Sequence, residues 1–350
     1  MLSRFGGPEV LRSADLRRPE PGSGEVRVRV RAVVVARTKD VAVRSGRHPF
    51  SRAVSLPHVL GTEHAGTVDT VGSGVDPALL GRRVAVSAVL PCGTCRACRR
   101  GREEACPALR LVGIHRHGAY AEYCVTPADN LVSIPDGLPF AHAAALAANG
   151  PVARAQLDAG GVGAATCVLV LGASGALGSA VAALAAFRGA QVIAAARLCR
   201  RADVLGDLPG AALIDSDRPD LAEALLELTG GWGVDCVVDN LGLVPLWQRY
   251  QAVVAPMGRI VVSGALGEAP VPVALRPFYL RNQAIIGIRT GNRSDMAGLW
   301  GDVRDGFRLV PGLLSTMPLA AAATAHRLVE AGGNHGQIVL HLSDESGETA

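Results

Sequence analysis

The chain has no apolar run of about 18 residues, the length a helix needs to cross a bilayer. No membrane partner is therefore expected. The opening residues, Met1-Leu2-Ser3-Arg4-Phe5, lack the pattern of a secretory signal, so the expected location is cytoplasmic. Internal repeats are absent, and only the tail from Ser343 reads as disordered. A strong charge excess is missing too: 35 Lys and Arg against 31 Asp and Glu leave +4 over 350 residues, with the basic residues scattered. That balance implies no nucleic acid partner. What the chain does have is 49% apolar residues, enough for ordinary cores, in a length that suits two domains. It also has eight cysteines, which in a cytosolic chain argue for metal or free thiols rather than a disulfide framework.

The stretch 168–197 organises the rest. Val168-Leu169-Val170-Leu171 is followed by Gly172-Ala173-Ser174-Gly175-Ala176-Leu177-Gly178. Small and apolar residues at helical spacing then run over 180–187, and a second apolar run covers 191–196. This reads as strand, tight turn, helix, strand. Gly172 ends the strand without a side chain, Gly175 lets backbone N–H groups approach a pyrophosphate, and Gly178 lets the helix lie close on the sheet. The helix N-terminus favours phosphate. An ordinary βα turn is the bland alternative. The second strand ends Ala194-Ala195-Ala196-Arg197, with Arg200 and Arg201 close behind. No acid stands where an adenosine ribose usually finds a carboxylate, whereas an arginine suits a 2′-phosphate. The expected cofactor is NADPH, against the alternative of a solvated basic loop.

Upstream, residues 1–90 alternate short strands with turns. Val26, Val28 and Val30 mark a strand over 25–35, and further strands are expected at 66–71 and 83–89. Together they suggest a separate β-rich domain. Strands at 234–239, 259–263 and 284–288 continue the α/β pattern, a helix is expected over 319–330 after Pro318, and a last strand at 337–341 returns to the first domain. The second strong signal is Cys92, Cys95, Cys98 and Cys106 in a C-x2-C-x2-C-x7-C spacing. Four thiolates in one short lobe, 91–107, fit a tetrahedral zinc with no open position, hence a structural one. Arg96, Arg99, Arg100 and Arg102 would favour the thiolates; an iron–sulfur cluster is the rival occupant. Of the isolated cysteines, Cys167 and Cys236 are expected in the core.

Together these features resemble the medium-chain dehydrogenase/reductase superfamily, which includes zinc alcohol dehydrogenases and zinc-independent quinone and enone reductases. The residues Gly61-Thr62-Glu63-His64-Ala65-Gly66, Gly118-Ala119-Tyr120-Ala121-Glu122-Tyr123, Val238-Asp239-Asn240-Leu241-Gly242, Gly258-Arg259-Ile260-Val261-Val262-Ser263-Gly264 and His335-Gly336-Gln337-Ile338-Val339 carry the resemblance. It implies an α/β chain with a GroES-like β-barrel catalytic domain at 1–149 and 288–350. A Rossmann doubly wound parallel sheet at 150–287 would interrupt it. It also implies that the cofactor meets Ser174, Gly175, Ala176, Leu177, Arg197, Asn240, Leu241, Gly264, Ala265 and Leu266, and that two copies pair as a homodimer through the strand 284–288.

Departures from the family's pattern decide the expected chemistry. The places where the zinc alcohol dehydrogenases keep three catalytic zinc ligands match Arg37, Thr62 and a position near Ala148 in Leu146-Ala147-Ala148-Asn149, and none of Arg37, Thr62 and Ala148 binds zinc well. One zinc per chain is expected, not two. Without that Lewis acid, an alcohol or ketone is poorly activated, while hydride addition to an electron-poor alkene needs only donors for the charge developing on oxygen. Arg37, Lys39 and Tyr120 are the candidate donors, with Lys39 also able to deliver a proton. Two cations suggest an acidic small-molecule substrate. The bland alternative is that Arg37 pairs with Asp40 or Glu63 and fills the old metal space. His64 reads as a structural strand histidine, with a replacement zinc ligand as the alternative, and His115 and His117 as a solvent-facing loop, with a catalytic role as the alternative. Val152 stands where the reductases commonly keep a threonine near the nicotinamide. The expectation is an NADPH-dependent reductase of a polarised C=C bond in a quinone, enone or unsaturated biosynthetic intermediate. A zinc-independent C=O or C=N reductase/dehydrogenase is the first alternative. A non-redox cyclase, isomerase or accessory protein on the same fold is the second.

Overall fold

Glu25–Val34 is the central strand of a seven-stranded sheet, pairing antiparallel with His64–Val71, Tyr123–Pro127 and Gln337–His341. Its valines face the core as their alternation predicts, with Val26, Val28 and Val30 at most 2% exposed. Arg27 between them is buried as well, because Asp69, Glu20 and Thr70 take its guanidinium. Two register shifts in the pairing with His64–Val71 bend the strand and disturb strict alternation. The computed structural model describes residues 1–197, 208, 210–267, 269–334 and 336–342. Cys199, Arg200, Arg201, His335 and the tail from Ser343 lie outside the described residues.

The chain divides into two compact units. The first comprises Met1–Ala148, Asn292–Arg304 and Leu314–Ala350, and the second Asn149–Gly291 and Asp305–Leu313. The second holds six strands, all parallel, in the order Ala212–Asp215, Gln191–Ala196, Cys167–Leu171, Val234–Asp239, Val254–Val262, Ala284–Gly287. This is the Rossmann order, with the chain reversing direction across the sheet beside Cys167–Leu171. The strand expected at 259–263 is the end of a longer one, Val254–Val262. Phe307, 1% exposed, lies 5.6 Å from Phe187 between ring centroids, which ties the short return 305–313 to the second unit. No helix among the described residues is long and apolar enough to cross a membrane.

Candidate active site and zinc lobe

The four cysteines of the lobe converge as their spacing predicts. Their sulfur atoms all lie within 4.8 Å of one another, with Cys95 and Cys98 3.5 Å apart and Cys92 and Cys98 4.0 Å apart. A tetrahedron with zinc–sulfur bonds of about 2.3 Å has edges of about 3.8 Å, so the set fits zinc. These separations are far too long for disulfides of about 2.05 Å. The backbone N–H groups of Cys92 and Cys98 point at the sulfurs of Cys106 and Cys95. Gly101 closes the turn in the left-handed region at φ +66°, a conformation that suits glycine. Among the described residues this is the one group of three or more Cys, His, Asp or Glu whose ligand atoms converge. Metal analysis of the purified chain is expected to return one zinc, and Cys106→Ser to return less than half of that; two zincs per chain would contradict the ligand count.

The glycine turn of the second unit also forms as read. Gly172 takes φ +70°, and a side chain on Gly178 would meet the Gly172 carbonyl at 2.2 Å, so the helix Ala176–Phe187 starts close against the strand end. Its first N–H groups, on Ala176, Leu177 and Gly178, have no partner within the helix and suit a phosphate. The loops after Asp239 and Val262 come together: the Leu266 N–H donates to the Leu241 carbonyl at 2.7 Å, and a side chain on Gly264 would meet the Asn240 carbonyl at 2.4 Å. Asp239 is a fold residue, accepting from the Leu241 and Gly242 N–H groups and the Tyr250 hydroxyl. Asn240 accepts from Gln156 through Oδ1, while its buried Nδ2 has no partner, an orphan donor at the strand end. Arg197 is exposed one residue past Gln191–Ala196. The turn, the close-packed loops and the orphan amide fit a nicotinamide dinucleotide.

The candidate catalytic side chains lie in the first unit. Arg37 and Lys39 are carried on a five-residue π-turn, Arg37–Val41, a geometry often found at functional sites. Asp40, 1% exposed, pins this turn: its carboxylate accepts from the Ala36 N–H at 3.0 Å and the Gly61 N–H at 2.9 Å. Burial pushes Asp40 up to about 7, with its two backbone donors opposing. Lys39 donates to Glu63 Oε1 at 2.8 Å. Arg37 is exposed and donates instead to the Glu330 carbonyl at 3.0 Å. The alternative pairing of Arg37 with Asp40 or Glu63 does not form: Lys39 has taken the buried Glu63 carboxylate, and Asp40 is occupied by backbone.

Tyr120 is buried, its hydroxyl 3.0 Å from His326 Nε2. Burial, with Asp40 and Glu63 adding, raises the phenol well above its usual value. Thr62 is wholly buried with an unpartnered hydroxyl. His64 is a buried strand residue, pushed down to about 4 by burial. Ala148 lies on the helix Phe140–Gly160. The donor set Arg37, Thr62 and Ala148 does not fit a second zinc. His115 and His117 each accept a backbone N–H through Nδ1, from Leu111 and Val59, so both are loop-bracing residues.

Three buried or anchoring groups had no sequence signal. Arg44, 0% exposed, pairs with Glu330, and its Nε and Nη1 have no partner; His326 Nδ1 has none either. One signal was present in plain composition: Lys39 is the single lysine of the chain, the other 34 of its 35 Lys and Arg residues being arginine.

Residues 22–136 match the family model described as the alcohol dehydrogenase GroES-like domain, and residues 176–304 the one described as zinc-binding dehydrogenase. An NAD-dependent alcohol dehydrogenase of Sulfolobus acidocaldarius is 29% identical over 98% of this chain and 99% of its own. An L-threonine 3-dehydrogenase of Pyrococcus horikoshii is 30% identical over 70% of each chain. A solved NAD-dependent alcohol dehydrogenase superposes with a TM-score of 0.88 at 35% identity, covering 98% of both chains. With a barrel-type β-unit, a Rossmann sheet, a four-cysteine lobe and these matches, the chain is an oxidoreductase of the zinc-type medium-chain dehydrogenase/reductase superfamily.

Proposed function

We propose that this oxidoreductase uses NADPH to reduce a polarised C=C bond in a small-molecule enone, quinone or unsaturated acid. The observation that carries the reading is that Arg37, Thr62 and a residue near Ala148 stand at the three catalytic zinc positions, in a chain that also holds a partly open Lys39–Glu63 pair. Bound NADPH would supply a hydride to the β-carbon, and negative charge would develop on the carbonyl oxygen. The Lys39 ammonium then donates a hydrogen bond to the developing oxyanion and a proton to the enolate. Lys39 afterwards recovers a proton from water. Arg37 spends one N–H on a backbone carbonyl and keeps the rest of its fork for a substrate carboxylate, which favours an acidic acceptor. Tyr120, spent on His326, supports the fold around the pair.

The NADPH preference rests on Arg197; the Sulfolobus relative is named for NAD, so the two cofactors are tested side by side. Consumption of NADPH is expected with conjugated acceptors and not with simple aldehydes. Arg197→Ala is expected to weaken NADPH binding about tenfold and leave NADH binding within twofold, read by fluorescence titration. Aldehyde reduction with no alkene reduction would instead place the chain with its alcohol dehydrogenase relatives in chemistry.

A further inference from the structure

We propose that Glu63 and Asp40 are positioning residues for one proton donor, the ammonium of Lys39. The proposal rests on the reductase reading for the use of the proton, while the geometry stands without it. Two segments distant in sequence meet here. The π-turn Arg37–Val41 carries the lysine, and the residues entering His64–Val71 carry Glu63. Asp40 joins them, one oxygen on the Ala36 N–H and the other on the Gly61 N–H, so the two backbones hold a fixed register. Across that register Glu63 reaches Lys39 at 2.8 Å. The pair is graded in depth: the glutamate side chain is 3% exposed and the lysine 24%, so the lysine is the more open member. A carboxylate beneath an amine holds the ammonium by a charge-assisted hydrogen bond and restricts its rotation.

Composition sharpens the point. Charge alone is served everywhere else in this chain by arginine, whose guanidinium is never a proton donor near neutral pH. The chain's single lysine, which supplies both charge and a transferable proton, sits in the ion pair that joins this turn to Glu63. The other charged and titratable groups around the pair do not compete for that role. Asp40 is held by backbone, Tyr120 by His326, and Arg44 and Arg37 by Glu330. In the step itself the Lys39 N–H bond breaks and the proton goes to the enolate. The hydride that a bound cofactor would supply brings the two electrons, and the neutral amine left on Lys39 is reprotonated by water.

A chain with one lysine allows a direct test, because Lys39 and the N-terminal amine are its only primary amines. With acetic anhydride at pH 8, Glu63→Gln is expected to acylate Lys39 about tenfold faster than the unaltered protein. The rate is read by mass spectrometry and normalised to the N-terminal amine. The alkaline fall of kcat/KM for a conjugated acceptor is expected to move about one pH unit lower, with KM for NADPH unchanged. Glu63→Asp keeps the charge but withdraws it by one methylene, and is expected to give a smaller rise; it guards against misfolding of the first variant. Unchanged Lys39 acylation in both variants overturns the proposal. Faster acylation in a protein that reduces no conjugated acceptor keeps the pair and removes the reductase reading, so the two failures are distinct.

Discussion

Lys39→Arg is expected to lower kcat for a conjugated acceptor by about a hundredfold, at the lower end of what a positioned general acid contributes. NADPH affinity is expected to stay within twofold and the unfolding midpoint to change little. Arginine keeps a cation for Glu63, whose side chain is almost wholly buried, and so leaves the ion pair in place. What it removes is the proton that can leave. Lys39→Met removes both. It strands a buried carboxylate and is expected to destabilise the protein by about 3 kcal/mol as well as inactivate it. Adding Glu63→Gln to Lys39→Met is expected to recover much of that stability and none of the activity. If Lys39→Arg retains kcat within threefold of the unaltered protein, the lysine acts through charge alone.

This separation of charge from proton transfer was half visible in the sequence. Features that were legible are those whose cause is local. Gly172 and Gly178 are read correctly because a positive φ and a 2.2 Å approach to a carbonyl leave room for little else. The cysteine lobe is legible because all four ligands fall within fifteen residues, a spacing with few other uses. Alternating valines locate Glu25–Val34, although the burial of Arg27 by Asp69 and Glu20 lay beyond any local pattern. The polar cluster is the opposite case. The partner of Arg37 is a carbonyl 293 residues away, and that of Tyr120 a histidine 206 residues away. Arg44 looks like the polar end of a short apolar run until Glu330 and His326 are seen beside it. The return of 305–313 to the second unit depends on Phe307 meeting Phe187, which no spacing foretells. Lys39 was legible as a candidate and Glu63 as a surviving acid, but their pairing required the register that Asp40 sets.

That same buried cluster makes the first unit sensitive to acid, and two wholly buried histidines contribute to the effect. His64 and His326 are both 0% exposed, and burial lowers them to about 4 and about 3 from an ordinary value of 6.5. Neither ring nitrogen of His64 makes a hydrogen bond of standard geometry, and the Thr62 backbone offsets the burial only in part. For His326, the nearby Arg44 adds to the effect of burial. With folded values below the unfolded ones, the unfolded chain binds more protons between about pH 4 and 6.5. Stability therefore rises with pH across that window and is lost as pH falls through it. At about 1.4 kcal/mol per pH unit for each group, the cost at pH 5 is about 2 kcal/mol per histidine. Asp40 acts with the opposite sign. Its folded value, about 7, lies above the unfolded one, so its contribution is complete below about pH 4 and is lost as pH rises through 7. In the unaltered protein the two trends oppose each other, and a single stability profile would mix them. A difference measurement separates them, because Asp40 is common to both proteins compared. Relative to the unaltered chain, His64→Val with His326→Phe is expected to gain about 4 kcal/mol on going from pH 8 to pH 5, read from denaturant midpoints at the two pH values. A gain under 1 kcal/mol would mean that these histidines meet water or a proton partner in solution, and that the interior around Tyr120 is less dry than its packing shows.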